Sequence, residues 1–77
     1  MADSTETEAL KASFRGAVST TDALLALRDR VMAMAPDADI TAADLEELAG
    51  ATLAHAIASQ ALRGLVETMR ARRSVVA

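Results

Sequence analysis

The sequence predicts an all-α fold: a helical hairpin with a short N-terminal helix and a long C-terminal helix, forming an oligomeric helical bundle. Three observations lead there. Apolar residues recur at steps of three and four rather than two, which is the period of a helix face. The only proline, Pro36, lies between two helix-forming stretches and marks the turn. The last stretch, from Thr41 to about Arg73, is longer and more apolar than two short companions can cover.

Taken in order, the predicted helices cover about 5–15, 20–35 and 41–73, in one domain over residues 1–77. The first begins at Thr5-x-x-Glu8, a capping-box spacing, with Asp3 and Glu6 near its positive end. Leu10 and Phe14 share a face four residues apart, and Gly16 is the expected stop. The second begins at Ser19, with Asp22 three residues on. Leu24, Leu27, Val31 and Met34 form its packing seam, and Leu25 and Met32 lie seven apart on a neighbouring strip. The third begins at Thr41, which places Asp44 at the reciprocal capping position and Ile40 and Leu45 as a hydrophobic staple. Asp44, Glu46 and Glu47 sit where the helix dipole favours anions, and Arg70, Arg72 and Arg73 where it favours cations.

Composition narrows the function classes. Nineteen of the 77 residues are Ala, Phe14 is the sole aromatic, and there is no Cys, so disulfides and thiolate metal sites are excluded. A chain this short buries a thin core and commonly gains stability from association. A net charge of −3 disfavours a dedicated nucleic-acid binder. The longest uncharged run, Leu48 to Leu62, is interrupted by Thr52, His55, Ser59 and Gln60 and is too short for a membrane span. The chain does not open on a basic stretch followed by an apolar run, so a soluble, cytoplasmic protein is expected.

The acidic stretch from Asp37 to Glu47 raises a calcium loop as a rival to a helix start. Asp37, Asp39 and Thr41 fit its first three ligand positions, but Ala42 stands where glycine is required and Leu48 where a bidentate glutamate is required. The helix start is the reading kept. His55, the only imidazole, has Ala51 and Ser59 as its neighbours one turn away and no carboxylate close by, which points to packing rather than catalysis. Ser13, Ser19, Ser59 and Ser74 lack a nucleophile context. Gly16, Gly50 and Gly64 are too scattered for a phosphate loop. No catalytic, cofactor-binding or metal residue is predicted, and the protein is expected not to be an enzyme.

A helix from 41 to 73 is about 50 Å long, whereas a compact chain of this length has a radius of gyration of about 11–12 Å. Its wheel carries three apolar stripes: Leu45, Leu48, Ala49, Thr52 and Ala56; Leu53, Ile57, Ala61 and Gly64; and Leu62, Leu65, Val66 and Met69. The expected partner interface is Leu48, Thr52, Leu53, Ala56, Ile57, Leu62, Leu65, Val66 and Met69, with Leu25 and Met32 behind them. The expected function is non-enzymatic assembly, by association with itself or as a small subunit held by a helical partner protein. The alternative is a small DNA-binding or regulatory protein. It would use either a helix-turn-helix-like segment around Gly50, which has Glu46 where a small residue is usual, or Arg70, Arg72 and Arg73 as anion contacts.

Two partial resemblances complete the reading. Thr21 to Val31 resembles the second helix of acyl and peptidyl carrier proteins, with Ala23 in place of the serine that carries phosphopantetheine, so no prosthetic group is implied. Thr21–Ala23, Ala35–Pro36 and Leu48–Ala56 together are similar to the small helical R-body proteins of bacteria, although this chain is more charged.

Overall fold

The computed structural model describes residues 4–76, and side chains from residue 5 to residue 74. Among them there are two α-helices and no strand: α1 (Ser4–Met32) and α2 (Ala42–Val76). They pack side by side as an antiparallel hairpin 58 Å long and about 18 Å across, with a radius of gyration of 17.7 Å. The all-α hairpin is the fold the sequence predicts.

The N-terminal helix is not separate. The expected stop at Gly16 does not occur, and the predicted helices 5–15 and 20–35 are one element. Gly16 keeps a negative φ and so makes no left-handed cap. Glycine in a helix interior costs roughly 1 kcal/mol relative to Ala, and the continuous contact with α2 on both sides of it outweighs that. Thr5 and Ser19 consequently lie inside α1 rather than capping a helix; Asp3 lies outside the described residues. Likewise α2 runs unbroken through Gly50 and Gly64.

The seam between the helices follows a seven-residue rule. On α1 the covered positions are Glu6, Leu10, Ser13, Ala17, Thr20, Leu24 and Leu27; on α2 they are Asp44, Leu48, Ala51, His55, Ala58, Leu62, Leu65 and Met69, with Ser59 half-covered beside them. Steps alternate between three and four throughout, the signature of paired helices packing knobs into holes. Register is fixed by cross-links whose residue numbers add to between 74 and 79: Thr20–His55, Arg30–Asp44, Arg30–Glu47, Glu6–Arg72 and Glu6–Arg73.

The turn is built as the sequence requires. After Met32 the chain tightens, with the Met34 N–H bonded to the Val31 carbonyl and the Ala38 N–H to that of Ala35, around Pro36. Thr41 and Asp44 then close a capping box: the Thr41 N–H donates to Asp44 Oδ2 at 3.2 Å, and the Asp44 N–H donates to Thr41 Oγ1 at 3.1 Å. Ile40, expected to pack on Leu45, instead lines a small gap at the turn with Leu27, Val31, Met34 and Leu48, while Leu45 stays exposed.

Candidate assembly surface

Leu27 is the only described residue whose exposure falls below a tenth, at 8%. The rest of the seam is half covered, because each helix has one neighbour. The chain therefore exposes 5970 Å². A compact protein of 8.0 kDa exposes roughly 4,450 Å² by mass scaling. The difference, roughly 1,500 Å² for one chain, is nearly twice the ~800 Å² that each partner contributes to a standard protein–protein interface.

Six of the ten exposed large apolar side chains among the described residues share a pattern. Phe14 (51% exposed), Val18, Leu25 and Met32 (77% exposed) lie on α1, and Leu45 and Val66 on α2. Each directly follows a seam position or the next place in its repeat. In an antiparallel pair the positions following the seam on the two helices fall on one side of the hairpin, and those preceding it fall on the other. Arg30 and Glu47, which both precede seam positions, meet at 2.9 Å and confirm that assignment for the opposite side. All six apolar residues thus share one flank. Between Leu45 and Val66 the α2 part of this flank continues as Ala49, Thr52, Ala56, Ser59 and Arg63.

The predicted interface residues divide accordingly. Leu48, Leu62, Leu65 and Met69 are drawn into the seam and face α1. Thr52, Ala56, Val66, Leu25 and Met32 stand on the apolar flank. Leu53 and Ile57, 62% and 61% exposed, lie off it, Leu53 on the outer face of α2 and Ile57 on the opposite flank. Sequence reasoning missed Phe14 and Val18 as surface residues. The Leu25–Met32 repeat, extended seven residues back, reaches Val18, so the signal was present.

The middle of the seam is polar. Thr20 Oγ1 donates to the Ala17 carbonyl at 2.8 Å, so its single proton is committed, and the 3.1 Å contact to His55 Nδ1 requires the ring N–H to be the donor. In the neutral ring Nε2 then accepts, and it faces the Ser59 hydroxyl at 3.5 Å. His55 is a seam residue with partners on both nitrogens, as its sequence surroundings suggested.

Charges concentrate at the two ends. At the turn, Arg30 reaches both Asp44 (3.6 Å) and Glu47 (2.9 Å). Hydrogen bonding to the Thr41 side chain, then to its backbone N–H, with the Arg30 charge as a smaller contribution, holds the Asp44 carboxyl below its ordinary value. At the open end, Glu6 is largely covered and takes Arg72 at 2.7 Å and Arg73 at 3.2 Å, while Arg70 pairs with Glu67 at 3.3 Å. The expected anion contacts are thus engaged within the chain. The segment around Gly50 forms no turn, so the helix-turn-helix alternative lacks its second helix. Among the described residues no group of three His, Asp or Glu side chains could hold a metal ion, and no helix is long and apolar enough to cross a membrane.

No family model matches the chain, and no curated protein or solved structure matches it at a significant level.

Proposed function

We propose that this protein is a non-enzymatic assembly module whose hairpin associates through its helices with further copies of itself. The observation that carries the reading is the excess of exposed surface, roughly 1,500 Å² beyond that of a compact protein of equal mass. A row of large apolar side chains in water along a 58 Å rod is unfavourable by about 25 cal/mol for each Å². A monomer has no means of covering it. The nucleic-acid alternative draws on arginines that already bind Glu6 and Glu67, and a gel shift at low salt that shows no complex removes it.

Sedimentation velocity between about 1 and 100 µM tests the reading, together with helix melting over the same range, because self-association makes the midpoint rise with concentration. The expected result is an assembly with a concentration-dependent midpoint. A monomer with a constant midpoint across the range refutes it.

A further inference from the structure

We propose that the apolar flank is a docking site for a second copy of this chain, α1 of each copy lying on α2 of the other, with both turns at the same end of a four-helix bundle. This deepens the self-association reading and rests on it.

Three features of the flank lead to this arrangement. The first is area. A flank 58 Å long and about 18 Å wide presents on the order of 1,000 Å² per copy, against about 800 Å² per partner in a standard interface.

The second is size. The α1 row carries large apolar residues (Phe14, Val18, Leu25, Met32) interspersed with Thr21 and Arg28, and the α2 row is small from Ala49 to Ser59 (Ala49, Thr52, Ala56, Ser59), with Arg63 beyond it before Val66. A twofold axis parallel to the rod preserves the level of every residue. By the register of the hairpin itself, Leu25 then faces Ala49 and Thr52 of the other copy, Val18 faces Ala56 and Ser59, Met32 faces Leu45, and Phe14 comes level with Arg63. A twofold axis across the rod would instead put α1 on α1 and α2 on α2. Large side chains would meet large ones while small met small, leaving voids along α2 that close packing does not tolerate.

The third is the state of the polar groups. The hydroxyls along the middle of the flank are already bonded within their own chain. Thr21 Oγ1 donates to the Ala17 carbonyl at 2.9 Å, Thr52 Oγ1 lies 3.0 Å from the carbonyls of both Leu48 and Ala49, and Ser59 Oγ contacts His55. Their outward atoms are therefore methyls or methylenes, and covering them orphans no donor. Three of the cations that border the row carry their counter-ions with them: Lys11 pairs with Glu8, Arg28 with Asp29 and Arg70 with Glu67. Lys11 and Arg63 come level across the contact as a like-charged pair.

The chain has no native Cys, so Ala38→Cys in the turn accepts one spin label per copy, and dipolar spectroscopy on the full-length protein reads the distance between turns. Turns side by side, with neighbouring helix axes 8–10 Å apart, give a separation below about 35 Å. A separation near the 58 Å length of the rod overturns the arrangement while leaving self-association standing. Two substitutions, both checked for retained helicity, test the flank. Val18→Glu is expected to weaken the dimer by at least about tenfold, since it removes a buried valine from the contact, and Ile57→Glu by less than about threefold. The reverse order moves the contact to the opposite flank of the hairpin and overturns this proposal. A wild-type chain that stays monomeric at 100 µM fails the underlying reading rather than the choice of flank.

Discussion

Leu27→Ala tests what holds the hairpin together. The change removes three carbons from the one residue that is 8% exposed. At about 0.8 kcal/mol per buried carbon the transfer loss is about 2.4 kcal/mol. The cavity contribution is small, because Val31, Met34 and Leu48 around it are partly exposed and can relax inward. The expected total is about 2–3 kcal/mol, near half the stability of a domain at the lower end of the usual 5–15 kcal/mol range. For a chain of this size that lowers the melting midpoint by about 10–20 °C. Helix signal against temperature at one fixed concentration is the assay, with Met32→Ala, 77% exposed in the hairpin, measured beside it at a concentration where both proteins are monomeric. A loss under about 1 kcal/mol at Leu27, or a larger loss at Met32 than at Leu27, refutes the seam as the source of stability.

Four further outcomes are expected. Gly50→Ala and Gly64→Ala should each stabilise the helix by about 0.5–1 kcal/mol, since a Cβ at either site meets open space and neither lies on the apolar flank; weaker dimerisation in either variant would place a partner on the opposite side. Thr41→Ala should cost about 1 kcal/mol through the lost cap. The folded Asp44 value lies below its ordinary 3.8, so its contribution is present above about pH 4 and lost as pH falls through the folded value. Asp44→Asn should accordingly flatten the acid limb of a stability-against-pH curve, and an unchanged limb refutes the capping-box account. His55→Leu should change stability by less than about 1 kcal/mol, on the favourable side, because an apolar seam residue replaces a polar one while Thr20 keeps its bond to Ala17; a loss above 2 kcal/mol or a failure to assemble would give the imidazole a role beyond packing.

The sequence by itself determined the elements and the turn. Leu24, Leu27 and Met34 announce a helix seam through local spacing, Pro36 fixes where the chain reverses, and Thr41 with Asp44 caps α2 through atoms three residues apart. All of these are short-range effects, so a linear reading captures them. Gly16 shows the limit of that reading, since its local preference to end a helix is overridden by contacts with residues more than forty positions away on α2. The division of the apolar residues was decided only in three dimensions. Leu62, Leu65 and Met69 belong to the seam while Val66 and Ile57 do not, because covering a helix face requires knowing which face its partner takes, and that follows from the register set by Thr20–His55, Arg30–Glu47 and Glu6–Arg72. The same long-range pairing gathers Phe14, Val18, Leu25 and Met32 with Leu45 and Val66 onto one side, a surface assembled from two segments that touch only once the hairpin has closed.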